Sequence, residues 1–101
     1  MRKITSEAVS AFLERKTFRK SNMSVEESSG VYKLKLHGNT IATIDELGVL
    51  SVSNAGWASN TTKERLNGLD DVSIYTSKGQ LQLNDFNWDG KKILNLYFAA
   101  N

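Results

Sequence analysis

The chain contains no cysteine, no proline and a single histidine among its 101 residues. Without cysteine there is no disulfide framework, no thiolate metal site and no thiol nucleophile, which excludes a stapled secreted scaffold and makes the cytoplasm the default compartment. With His37 alone, histidine-rich zinc sites and the two-histidine facial triad are excluded. A Ser-His-Asp arrangement lacks its nucleophile elbow, and His37 stands beside a Gly-Asn turn, so it reads as an exposed turn residue. Glycines are scattered: Gly30, Gly38, Gly48, Gly56, Gly68, Gly79 and Gly90 punctuate separate turns, and neither a Walker phosphate loop nor a dinucleotide fingerprint is present. No cofactor is expected. Long apolar runs are missing too. Met1-Arg2-Lys3-Ile4 begins like a signal peptide, but Glu7 and Glu14-Arg15-Lys16 interrupt any apolar stretch, so a soluble, intracellular protein with no membrane partner is expected. The absence of proline removes one device for blunting sheet edges, a role that falls to Lys33, Lys35 and Lys92.

Composition says that the chain folds. Hydrophobic residues make up 40% and charged residues 24%, near the averages for globular domains, and the length fits one domain over residues 1–101. The net charge of +2 is unevenly placed: residues 1–20 carry six Lys or Arg against two Glu, the remaining 81 seven against nine. A basic arm on a mildly acidic body fits a phosphate backbone or an acidic protein partner. Equally, Arg15, Lys16, Arg19 and Lys20 would solvate the end of a helix and complement its dipole.

Hydrophobic spacing predicts an α+β fold, with an N-terminal helix packed on an antiparallel meander sheet of six or seven short strands and one short helix inserted mid-chain. The first helix is expected from Ser6 to Lys16, capped by Thr5, with Ile4 and Val9 as a hydrophobic staple and Val9, Phe12 and Leu13 on one stripe. Met23 and Val25, then Tyr32, Leu34 and Leu36, alternate with polar neighbours, the period of strands with one wet face. Further strands are expected over 40–45, 49–53, 72–74 and 80–83, and a denser, more central one over 92–98. Spacing this close leaves no room for crossover helices. Asp89-Gly90 carries a strong hairpin signal.

Paired carboxylates occur at Glu26-Glu27, Asp45-Glu46 and Asp70-Asp71, but neighbours on a strand point to opposite faces, so adjacency makes no shared acid–base or metal site. Asp85 and Asp89 flank Phe86 and Trp88 and are equally the residues turns use to bond their own backbone. No catalytic or metal-binding residues are assigned. The segment richest in chemistry runs from Gly56-Trp57 to Asn67-Gly68. Thr61-Thr62-Lys63-Glu64 has the form of a capping box, with Thr61 at the N-cap, Glu64 at N3 and Gly68 as a C′ glycine. A helix start with Asn60, Thr61, Thr62, Lys63 and Arg65 would suit a phosphate or carboxylate, and Trp57 would add a stacking face. The plainer alternative puts Trp57 and Leu66 in the core, the threonines in the cap, and Lys63 and Arg65 in solvent.

Three stretches carry a family likeness: Leu36-His37-Gly38-Asn39-Thr40-Ile41-Ala42; Gly56-Trp57 with Thr61-Thr62-Lys63-Glu64-Arg65-Leu66-Asn67; and Leu83-Asn84 with Trp88-Asp89-Gly90. In these the chain resembles a group of small uncharacterised proteins encoded by tailed bacteriophages and prophages. It departs at Asp85-Phe86-Asn87, where the group's pattern has a Gly-Lys turn. The resemblance implies a viral early or accessory protein, and with it the host cytoplasm, but no mechanism; because phage accessory proteins of this size commonly act by binding, a non-catalytic protein that binds a host or viral macromolecule is expected. A protein partner is favoured, and an exposed apolar patch including Trp57, Tyr75, Trp88 or Tyr97 would support it. The alternative is a nucleic-acid binder using residues 15–20 with 63–65, which requires both groups on one face. Oligomeric state is left open.

Overall fold

The computed structural model describes residues 2–55, 59–69 and 72–90. Its first half is a helix on a sheet. Helix α1 (Lys3–Leu13) buries Thr5, Ala8, Val9 and Phe12, the i, i+3, i+4, i+7 stripe of an amphipathic helix. It begins three residues earlier than expected, with Arg2 as N-cap, so Thr5 lies inside the helix and is fully buried. It also ends earlier. Arg15 takes a left-handed conformation (φ 57°), and the Arg15 and Lys16 N–H groups donate to Phe12 and Ala11 carbonyls, a Schellman stop made by arginine where glycine is usual.

Five antiparallel strands follow in the order β1 (Phe18–Lys20), β2 (Met23–Ser28), β3 (Val31–Leu36), β4 (Asn39–Ile44) and β5 (Leu50–Val52). Alternation sends Phe18, Val25, Leu34, Ala42 and Val52 to one face as a single cross-strand row, and α1 packs there. Arg19 and Lys20 lie on β1, a strand the sequence reading did not contain. β3 is the central strand, so Lys33 and Lys35 protect no edge, contrary to expectation, but stand in the middle of the wet face.

Among the described residues the predicted single sheet is divided in two. The second sheet is β6 (Ile74–Ser77), β7 (Gln80–Leu83) and β8 (Phe86–Asn87), again antiparallel. Helix α2 (Asn60–Leu66) lies between the sheets and touches α1, β4 and β6. One continuous core runs through both, from Phe12 and Leu34 to Leu66, Ile74, Leu83 and Trp88. Hairpin chemistry recurs at Ser29-Gly30, His37-Gly38 and Lys78-Gly79, where both central residues have positive φ, the turn that matches strand twist. A further such turn, among the described residues, uses Asn84-Asp85 without glycine. Gly90 has a positive φ and its carbonyl accepts from Asn54 N–H at 3.0 Å, just past β5, while the residues that would complete the hairpin expected at Asp89-Gly90 lie outside the described ones. The strand expected over 92–98 lies outside the described residues, as do Trp57, Asp70, Asp71 and Tyr97. Among the described residues no helix is long and apolar enough to cross a membrane.

Candidate functional site

The β3–β4 hairpin and the start of α2 face each other across a cleft of about 350 Å³, lined by Leu36, His37, Asn39, Ile41, Asn54, Ala55, Ser59, Thr61 and Thr62. Its first wall is set by the tight turn at His37-Gly38 and by a bulge, Ile41 being the extra residue between the pairs Leu34↔Ala42 and Lys35↔Thr40. The second wall is a helix cap. Ser59, not Thr61, is the N-cap: its hydroxyl accepts from Thr62 N–H at 3.1 Å and shares a 3.0 Å hydrogen bond with the Thr62 hydroxyl. That shift of two residues leaves Thr61 half-buried in the cleft with no hydrogen bond to its side chain. His37 and Asn39 are exposed and their side chains are likewise unbonded.

Among the described residues the cleft is lined by no carboxylate, lysine or arginine. Two amides, an imidazole and three hydroxyls surround an apolar floor of Leu36, Ile41 and Ala55. Such a lining hydrogen-bonds uncharged donors and acceptors and covers an apolar group, within the size range of small recognition pockets.

The remaining predicted site residues disperse. Asn60 and Lys63 line a separate groove with Glu64, Asn67, Ile74, Tyr75 and Thr76, and the Lys63 ammonium donates to the Thr76 hydroxyl at 3.1 Å. Arg65 is 2% exposed, which corrects both sequence readings of it: it neither meets solvent nor offers its charge to a ligand there. Its guanidinium donates to Thr5 Oγ1 (3.1 Å), Asn22 Oδ1 (3.3 Å) and Glu64 Oε1, while its buried Nε has no partner. Glu64, released from the expected capping box, accepts from Arg2 N–H at 3.2 Å and from the Thr5 hydroxyl at 2.5 Å. Burial pushes the Glu64 carboxyl up, but the bonds from Thr5, Arg2 and Arg65 outweigh it and hold the group below its ordinary value.

The basic arm is equally committed. Lys16 pairs with Glu14 at 3.1 Å and Lys20 with Glu7 at 3.0 Å, whereas Arg15 and Arg19 are exposed. A continuous cationic face from residues 15–20 to Arg65 is interrupted by the burial of Arg65. Of the residues expected in an exposed apolar patch, Trp88 is 4% exposed and so does not contribute, Tyr75 is exposed, and Trp57 and Tyr97 lie outside the described residues; among the described residues the large exposed apolar ones are Leu47, Phe86 and Tyr75. The Tyr75 hydroxyl donates to Asp85 Oδ1 at 2.6 Å, a bond that holds its pKa above the ordinary value. Asp45 caps its own loop, accepting from Leu47 and Val49 N–H, both at 2.9 Å. Among the described residues no three His, Asp or Glu side chains are close enough to hold a metal ion.

Thr61 and Thr62, singled out from the sequence as binding residues, line this cleft, and so do His37, Asn39 and Asn54, which were not. The signal was available: two of the three resemblance-bearing stretches, 36–42 and 61–67, each supply residues to this cleft.

No curated protein and no solved structure matches the chain. A protein-family model described as Kyanoviridae Gp96 protein matches residues 1–98. The chain therefore belongs to the Kyanoviridae Gp96 family of small phage-encoded proteins.

Proposed function

We propose that this phage protein is a non-catalytic binding module that takes an uncharged segment of a partner protein, of host or viral origin, into the cleft between the β3–β4 hairpin and α2. The observation that carries this reading is the described lining itself: unbonded His37, Asn39 and Thr61 over an apolar floor, with no Asp, Glu, Lys or Arg among the described residues. Peptide groups supply matching donors and acceptors, and a partner's apolar side chain would cover Leu36 and Ile41. Among the described lining residues a phosphate or carboxylate would meet no Lys or Arg, which disfavours it. Host cytoplasm is the compartment that fits this role.

Selection of a random peptide library on the protein tests the reading. Peptides enriched on the wild type should keep their affinity for Gln80→Arg, on the distant β6–β7 hairpin, and lose it for Asn39→Arg, which puts a charged chain at the cleft mouth. Enriched peptides that bind both variants equally would show that recognition lies elsewhere.

A further inference from the structure

The wet face of the five-stranded sheet carries a second, independent feature. Two cross-strand rows point away from α1: Arg19, Ser24, Lys35 and Thr40 on one, and Glu26, Lys33, Thr43 and Ser51 on the next. The two lysines protect no edge here, and the one carboxylate on these rows, Glu26, stands opposite Lys33 and pairs with Lys35, so cationic charge is left over on this face. Lys33 is half-buried and makes no ion pair or hydrogen bond with the described residues. It borders a trough of about 330 Å³ together with Thr40, Thr43 and Ser51. The hydroxyls of these three are also unbonded, although Ser51 is only 4% exposed. An ammonium and three hydroxyls are all able to donate, and among the described residues no carboxylate lines the trough, Glu26 standing opposite Lys33 on β2 but paired with Lys35. Donors that are partly buried and without a bonded partner can converge on an anion.

We infer that this face binds the phosphodiester backbone of a nucleic acid, with one phosphate seated in the Lys33 trough and neighbouring phosphates on Lys35 and Arg19. The extension beyond one phosphate rests on charge complementarity along the first row. Arg19 is exposed and unpaired, and Lys35 is held only by Glu26, at 3.1 Å, a carboxylate that is half exposed and easily exchanged for a phosphate oxygen. No aromatic side chain lies on either row, so bases would not be stacked or read, and binding would be independent of sequence. This surface shares only Arg19 with the set of basic residues that the sequence singled out.

The test is fluorescence anisotropy of labelled single- and double-stranded DNA between about 50 and 200 mM salt. Three cations predict a log–log salt slope of about 2 to 3 in magnitude. Lys33→Gln should weaken binding to every sequence and reduce the slope by about 1. Glu26→Gln, which frees Lys35, should strengthen it, and Lys78→Gln on the other sheet should leave it unchanged. Retained secondary structure by circular dichroism establishes that each variant folds. Absence of binding at the lowest salt, or a Lys33→Gln variant that binds like the wild type, would overturn the assignment. Displacement of the DNA by inorganic phosphate at the same phosphate concentration would also overturn it, since the site would then hold a free anion and not a backbone.

Discussion

The two halves of this molecule are joined by different forces. Up to Ala55, α1 lies on a five-stranded sheet through apolar rows: Ala8, Val9 and Phe12 against Val25, Leu34, Ala42 and Val52, with tight turns setting the register. After Ser59, α2 and the three-stranded sheet also bury Leu66, Ile74 and Leu83, but polar side chains hold their orientation. The Asn67 amide pairs with the backbone of Ile74 through both its atoms, at 2.6 and 2.8 Å, imitating a strand neighbour. Glu64 and Arg65 fasten α2 to Arg2 and Thr5 of the first helix and to Asn22 of the β1–β2 turn. Apolar contact tolerates sliding, whereas hydrogen bonds in a partly buried joint demand one geometry. The cleft lies across this junction, so its shape depends on the polar joint.

The sharpest way to break the contrast is Arg65→Ala. Removing the guanidinium leaves Glu64 and Thr5 without their shared donor, and a loss of about 3 kcal/mol in urea denaturation is expected. Lys20→Ala, which opens the exposed pair with Glu7, should cost less than about 1 kcal/mol. Equal losses from the two variants would mean that the α1–α2 joint is no stronger than a surface pair. Next in size is Gly68→Ala. Gly68 follows α2 without a positive φ, so the C′ conformation expected of it is not why glycine stands there; a Cβ would meet Thr5 Cγ2 at 2.6 Å and Val9 Cγ2 at 3.2 Å. Overpacking of the two helices should cost about 1 to 3 kcal/mol, whereas Ser77→Ala on the exposed second sheet should be near neutral. Asn67→Ala then removes two hydrogen bonds and should cost about 1 to 2 kcal/mol, with amide exchange at Ile74 accelerated more than at Leu34. Uniform acceleration at both amides would show that Asn67 supports the whole core and not the second sheet's attachment.

This division also explains what was legible in the sequence. Period-two alternation at Met23–Leu36 and turn residues such as Ser29-Gly30 and His37-Gly38 encode strands locally, and those elements stand where the pattern puts them. The α+β class followed. Stops and joints were less readable because they violate local preference: arginine occupies the left-handed stop of α1, and Asn84-Asp85 turns a hairpin without the glycine such turns favour. Arg65 was misread because charge normally means solvent, and only its contacts with residues some 60 positions away reveal a buried role. Half of the cleft was visible in the helix-cap residues Thr61 and Thr62. The other half was not, because a β-hairpin turn looks the same in sequence whether it faces water or a facing helix.

The smallest expected effect tests the joint without deleting it. Because the folded Glu64 carboxyl is held below its ordinary value of 4.5, the unfolded chain binds the proton more tightly than the native state does. Stability from this group is therefore fully present above pH 4.5 and is lost as pH falls through the folded value. Glu14, exposed and lowered by its bonds to Ser10 and Lys16, acts in the same direction and is common to every variant that keeps it. The difference between wild type and Glu64→Gln isolates the joint: melting temperatures followed from neutral to acid pH should converge below pH 4.5. Curves that stay parallel throughout would show that Glu64 titrates as it does in the unfolded chain, and that its charge adds nothing to the joint beyond the Arg65 bonds to Thr5 and Asn22.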